Sequence, residues 1–303
     1  MTQSVIDARD LTVYYGRHLG IDGVTLTVEQ GEVFGFLGPN GAGKTTTQRV
    51  IMDVIRANRG TVSVFGLDSR TDGVAIRKRV GYLPGELSLP DTMTGRQFLN
   101  VMASVRGMKE RSYRDELIQR LDLDPSRRLK QYSRGNKQKV GLVAAMMHKP
   151  DLLILDEPTS GLDPLVQQTV LDLVRETRDE GRTVFFSSHI LPEVQAVCDR
   201  VGIIRAGKLA AVEWVDGLVG HRFRRLRLTL AEEPSPNAFQ LDGVTEIERA
   251  GNILTLEVQR NLQAIMVTAV QIGIVDIEEE SVNLEDVFLA FYGRGNHKEG
   301  PHA

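Results

Sequence analysis

The residues best suited to chemistry are 38–46, GPNGAGKTT, which follow the apolar run 33–37, VFGFL. Their spacing is the G-x-x-x-x-G-K-[ST] of a phosphate-binding loop. A polyphosphate has to be wrapped by backbone N–H groups, and only a chain with little side-chain bulk can do that. Gly38, Gly41 and Gly43 keep such a concavity open, and Pro39, Asn40 and Ala42 complete the loop. A helix starting near Gly43 would aim its first amides and the positive end of its dipole at the phosphates. Lys44 would place a point charge on the β/γ pair, and Thr45, followed by Thr46, would offer a hydroxyl to Mg²⁺. A glycine-rich turn before an ordinary helix is the competing reading. The match at every fixed position, straight after an apolar run, weighs against it.

Two carboxylates, Asp156 and Glu157, end the apolar run 152–155, LLIL. Ligands of open parallel α/β sheets bind at the C-terminal edge of the strands. There Asp156 is a candidate to hold Mg²⁺ through water, and Glu157, facing the other way, is a candidate general base for an attacking water. A solvated acidic turn is the alternative. A second apolar run, 183–186, ends in Ser187, Ser188 and His189, so His189 is either a γ-phosphate contact or a structural hydrogen-bonder. Ser133 stands where a helix N-cap would, and Gly135 permits close backbone approach. Residues 132–139 are therefore a second anion-facing helix start, or simply a capped helix. Tyr15, beside Tyr14 in a loop between strands, either stacks on a nucleobase or packs on its own sheet.

These residues need elements to position them. Alternation at Val5, Ile6, Leu11 and Val13, then at Val24, Leu26 and Val28, predicts a small antiparallel β layer across 4–28. A helix follows the phosphate loop, with Val50, Ile51, Val54 and Ile55 at helical spacing, and a strand pair is expected near 61–65. Residues 76–83 read as a strand that passes through Val80-Gly81-Tyr82-Leu83 and stops in the turn Pro84-Gly85-Glu86, and 94–123 as two helices broken at Gly107. Residues 140–147 read as an apolar helix and 201–205 as a last strand. Strand and helix alternate throughout, which predicts an α/β core with a mainly parallel sheet. After Gly220 the texture changes. Residues 253–256 and 275–277 read as extended, 262–272 as a helix and 284–292 as an amphipathic closing helix, a small α+β appendix with a tail beyond Gly293. Arg222, Arg224, Arg225 and Arg227 read as a solvated face rather than a nucleic-acid surface, since acidic residues follow over 278–286.

Composition narrows the class. With 303 residues, 41% hydrophobic and 25% charged, the chain has ample material for a globular core. A net charge of −3 offers no global positive field to nucleic acid. No stretch approaches the roughly 18 to 20 apolar residues that span a bilayer, so a membrane role requires a partner. The single cysteine, Cys198, forms no internal disulfide and is expected to be a packing residue in a reducing, cytoplasmic setting.

With those residues in place, the chain resembles the nucleotide-binding subunit of an ATP-binding cassette (ABC) transporter, over roughly residues 4–220. GPNGAGKTT looks like Walker A, YSRGN (132–136) like the ABC signature and LLILDE (152–157) like Walker B. Ser160-Gly161-Leu162-Asp163 looks like the D-loop, His189 like the switch histidine and Tyr15 like the adenine-stacking aromatic. Two departures stand out. The signature usually reads LSGGQ, and here Tyr132, Arg134 and Asn136 replace three of its positions. Gly85 stands where the family normally has a glutamine that touches Mg²⁺ and senses the membrane subunit. Both variants, with the appendix, resemble the drug- and antibiotic-exporter branch, in which cassette and membrane protein are separate chains.

The resemblance implies a P-loop NTPase core over 1–220 with an antiparallel β layer and a helical subdomain at about 85–150, an α+β domain over 221–295 and a tail over 296–303. It implies ATP and Mg²⁺ as cofactors, Lys44, Glu157 and His189 as catalytic residues, and Thr45 and Asp156 as metal residues. Residues 38–46 and Tyr15 would hold ATP, with Asp163 of the D-loop counted beside them. Two cassettes would close head to tail, a homodimer being the expected form, so that Ser133 and Gly135 of one chain meet the ATP on Walker A of the other. The expected function is ATP hydrolysis that couples dimer closure to export through a separate transmembrane permease subunit, at the cytoplasmic face of the cell membrane. No nucleic-acid partner is expected. Two alternatives carry weight: a cytosolic cassette ATPase acting on nucleic acid or ribosomes, whose relatives carry tandem cassettes, a zinc module or a long coiled coil that this chain lacks, and a regulatory cassette that binds ATP without hydrolysing it.

Overall fold

The structure, a computed structural model, describes residues 4–215, 224–258 and 260–280. It divides into two compact units, Met1–Val215 and Asp216–Ala303.

In the first unit, β1 (Ser4–Tyr15), β2 (His18–Glu29), β4 (Arg59–Val64) and β5 (Leu67–Asp68) form an antiparallel sheet in the order β2-β1-β4-β5. The β1–β2 hairpin turns at Gly16 and Arg17. Asp22-Gly23, which reads as a turn in isolation, lies inside β2, where Gly23 takes φ +62°. The second sheet contains β3 (Val33–Leu37), β6 (Val80–Leu83), β7 (Leu152–Asp156), β8 (Thr183–Ser188), β9 (Arg200–Arg205) and β10 (Lys208–Trp214), ordered β10-β9-β3-β8-β7-β6. Only β10 runs antiparallel to its neighbour; the other five strands are mutually parallel. Strands β3, β7 and β8 are buried at every residue, which is why they read as unbroken apolar runs without alternation. The ring of Phe185 lies 5.7 Å from that of Phe34 and 5.4 Å from that of Phe36, tying β8 to β3. The core joins this sheet to the antiparallel one and to helix α1 (Lys44–Ile51).

Register matters more than the order of strands. Leu37 pairs with Ser188, Asp156 with Ser187, and Leu83 with Leu155. Parallel strands in this alignment end together, so the residues after β3, β6, β7 and β8 emerge at one edge.

The helices are α2 (Gly73–Arg79), α3 (Gly95–Val105), α4 (Ser112–Arg120), α5 (Arg134–Met146), α6 (Pro164–Asp179) and α7 (Leu191–Val197). Thr94 and Gln97 start α3 with a reciprocal capping box, and α5 packs on β6, α3 and α4. Helix α1 is shorter than its apolar spacing suggests. It stops at Ile51, Asp53 turns left-handed at φ +51°, and Val54 is 60% exposed. Strand β10 escaped the sequence reading because it is a half-exposed edge strand whose apolar residues, Leu209 to Val212, run together without alternating with polar ones.

The second unit has β11 (Arg224–Leu230), β12 (Val244–Ala250), β13 (Ile253–Val258) and β14 (Ile274–Glu280), in the antiparallel order β12-β13-β11-β14, with α8 (Leu262–Ile272). Leu226, Leu228, Leu230, Leu254, Leu256 and Val258 form its core with Ile265 and Ala269 of the helix. Strand β12 is largely exposed and shows no alternation, so sequence pattern missed it. Arg225 sits opposite Glu257 and Arg227 opposite Glu278, so the arginine strand faces acids of its own sheet. The expected closing helix at 284–292 and the tail lie outside the described residues. No described helix is long and apolar enough to cross a membrane.

A histidine just past α5 gives the first unit a pH signature. Burial, and then the Arg106 charge, push His148 from 6.5 down to about 4, and its Nε2 lies 3.4 Å from Val80 O. Between those two pH values the unfolded chain binds a proton that the folded chain refuses. The histidine's contribution to stability is therefore full above pH 6.5 and shrinks as pH falls toward about 4. Urea midpoints measured across this window should rise with pH more steeply for the native chain than for His148→Phe.

Candidate nucleotide site

Strand β3 delivers the chain to Gly38, whose amide donates to Ser188 O at 3.3 Å. A Cβ at Gly38 would lie 2.4 Å from Ile204 O, and Gly43 opens α1 at φ +113°. Only glycine meets both demands. The amides of Lys44, Thr45 and Thr46 come before the first helical bond, Thr47 N to Gly43 O at 3.0 Å, and are free to face an anion. Lys44 is 4% exposed. Its Nζ donates to Gly38 O (2.6 Å) and Pro39 O (3.1 Å) and lies 3.2 Å from Glu157 Oε1.

The carboxylates that end β7 turn to opposite sides. Asp156, 1% exposed, accepts from Thr45 Oγ1 and from Ser187 Oγ, each at 2.7 Å. Glu157 takes the left-handed φ of +50°, a strained value for a residue with a side chain, costing roughly 1–3 kcal/mol. Its Oε1 lies 3.2 Å from Lys44 Nζ and 3.2 Å from His189 Nδ1. Strand β6 brings Gly85 against Asp156, where a Cβ would be 2.9 Å from Oδ2. In this geometry no glutamine fits beside that carboxylate unless Asp156 moves. On the same strand, burial and then the Asp156 charge push the Tyr82 phenol up to about 12. The oxygen donors of Thr45 and Asp156 suit Mg²⁺, which keeps waters and phosphate oxygens in its shell. Among the described residues no cluster of three or more His, Cys, Asp or Glu offers an all-protein cage.

A cleft of about 320 Å³ runs from Tyr15, Leu19 and Gly20 across Asn40, Gly41 and Gly43 to Lys44, Thr45, Thr46 and Glu157. Tyr15 is 46% exposed, with its Oη 3.3 Å from Thr46 Oγ1 and its ring edge over Gly20, where a Cβ would come within 2.9 Å. The ring therefore stands at the cleft mouth. Gly38, Pro39 and Ala42 build the loop without lining the cleft, and neither Ser133, Gly135 nor Asp163 lines it. Ser133 caps α5, accepting from Asn136 N at 3.2 Å, and Asp163 caps α6, accepting from Val166 N at 3.1 Å. Gly135 lies against Gly161 O, where a Cβ would be 2.6 Å away.

Three contributors escaped the sequence reading. Ser187 orients Asp156, Gly20 makes room for Tyr15, and Gln138 Nε2 donates to Glu157 O and Pro158 O.

A parallel sheet whose central strand feeds a glycine-rich loop and a buried lysine, with a carboxylate pair two strands away, defines a P-loop nucleotide hydrolase. A family model described as "ABC transporter" matches residues 21–160. The bacitracin transport ATP-binding protein BcrA of Bacillus licheniformis is 34% identical over 233 residues, 76% of each chain. The daunorubicin resistance ATP-binding protein DrrA3 of Streptomyces coeruleorubidus is 34% identical over 294 residues, 92% of this chain and 93% of the relative. A solved ATP-binding subunit of an ABC transporter is 30% identical with a TM-score of 0.66, over 71% of this chain and 91% of that one. The chain belongs to the ATP-binding proteins of ABC transporters, and it is an ATPase.

The Gly38 contact is testable. Gly38→Ala drives a methyl into the Ile204 carbonyl, an overpacking cost of about 1–3 kcal/mol. Urea unfolding should show the variant less stable than the native chain by about that amount. Gly41→Ala, with nothing within 4 Å of its Cβ but φ at +79°, should be milder.

Proposed function

We propose that this ATPase powers drug or antibiotic export through a separate transmembrane permease subunit, which it meets at the cytoplasmic face of the membrane. Support comes from the transport and resistance functions that the two relatives' names print, and from the absence of a spanning helix among the described residues. The observation that carries the chemistry is one carboxylate oxygen, Glu157 Oε1, within 3.2 Å of both the loop lysine and His189.

In this reading Glu157 takes the proton of the attacking water, His189 donates to the γ-phosphate, and Lys44 exchanges its present acceptors for the β/γ oxygens. The first α1 amides receive the phosphates, and Tyr15 stacks on the adenine. Thr45 and Asp156 would hold Mg²⁺, which when bound would supply positive charge against the charge developing on the phosphates. Ser133 and Gly135 stay outside their own chain's cleft although Ser133 opens a helix N-terminus, which favours their service to the nucleotide of a second copy in a head-to-tail homodimer. ATP then drives the transporter through its greater affinity for the closed pair. Acids opposite the β11 arginines weigh against a nucleic-acid partner.

The test is MgATP hydrolysis and ATP-dependent dimerisation of the native chain beside Glu157→Gln. Removal of the general base should slow hydrolysis by roughly 10²- to 10⁴-fold while ATP-bound dimer accumulates. A variant that turns over at the native rate would remove Glu157 from the mechanism.

A further inference from the structure

Glu157 holds a backbone conformation that residues with side chains avoid, and its neighbours have to keep it there. Its amide donates to Ser187 O at 3.1 Å, which fixes the strand side. Helix α5 fixes the other side. The buried Gln138 amide donates from Nε2 to Glu157 O (3.0 Å) and to Pro158 O (3.1 Å), gripping the two peptide units that follow the carboxylate. A primary amide carries two N–H groups and can serve both carbonyls at once. Arg134, four residues earlier on the same helix face, donates from Nη2 to Ser160 Oγ at 2.9 Å. Its stem covers Gly161, where a Cβ would be 3.4 Å from Arg134 Cδ. The first turns of α5 thus hold the turn 157–161 near both ends.

We infer that Gln138, assisted by Arg134, is a positioning residue for hydrolysis: it fixes the backbone that aims the Glu157 carboxylate at Lys44 and His189. This rests on the general-base reading of Glu157. Gln138 does not line the nucleotide cleft, so its loss leaves the ATP contacts in place.

The experiment is steady-state and single-turnover MgATP hydrolysis by the full chain, comparing native, Gln138→Met, Glu157→Gln and the double variant. Methionine keeps the volume and removes both donors. Gln138→Met should lower kcat roughly 10- to 100-fold, the scale of a misplaced catalytic group, with KM for ATP unchanged. In the Glu157→Gln background the same substitution should cost no further rate, because the two act through one group. Arg134→Lys should retain more of kcat than Arg134→Ala. Native kcat in Gln138→Met, or a loss that multiplies fully with Glu157→Gln, overturns the positioning role while leaving the base intact. Native turnover in Glu157→Gln overturns the base reading instead. If Gln138→Met does not fold, Gln138→Leu, also apolar and without a hydrogen-bond donor, supplies the same comparison.

Discussion

A cation taken almost fully out of water has to be surrounded by acceptors, and Lys44 sets that requirement for the whole site. Its ammonium is coordinated by two carbonyls of its own loop and by Glu157, which belongs to a strand two places away in the sheet. The contact exists only because β3, β7 and β8 are parallel and in a register that ends them together. Shift β7 by one residue and Asp156 exchanges faces with Glu157, so the hydroxyl of Thr45 and the ammonium of Lys44 would each meet the wrong carboxylate. Burial of all three strands at every residue enforces that register, with Phe185 packed on Phe34 and Phe36 where β8 meets β3, and through it the core governs the chemistry.

The arrangement is also self-satisfied. Thr45 bonds Asp156, and Lys44 bonds the loop and Glu157, so the groups proposed to receive phosphate and metal already pair with one another. Nucleotide therefore exchanges acceptors rather than supplying the first ones. Its affinity reflects the difference between the two sets, since only the surplus over existing bonds appears in binding.

Much of this was legible in the sequence, and the reasons are specific. The phosphate loop is local: glycine spacing, lysine and hydroxyl lie within one turn, so the pattern and the structure are nearly the same statement. Asp156, Glu157 and His189 were found because each ends an apolar run, and a buried parallel strand has no other sequence signature. Strand β10, strand β12 and the true end of α1 were missed because edge strands lack alternation and because Val54 and Ile55 kept helical spacing beyond a left-handed Asp53. Gln138 was invisible for a different reason. Its partners are backbone carbonyls, which every residue carries, so no residue type marks them.

Helix α5 then has two duties within its first two turns. Its first amides and Ser133 present a helix start outside their own cleft, while Gln138, little more than a turn further on, holds the peptide after Glu157. A helix transmits displacement along its axis with little loss, because its backbone bonds fix each residue to the fourth one on. Ser133 and the peptide after Glu157 are thus joined by five residues of helical backbone and one side-chain amide. Arg134, in a place where the family signature commonly has glycine, adds a second strut from the same turn to Ser160.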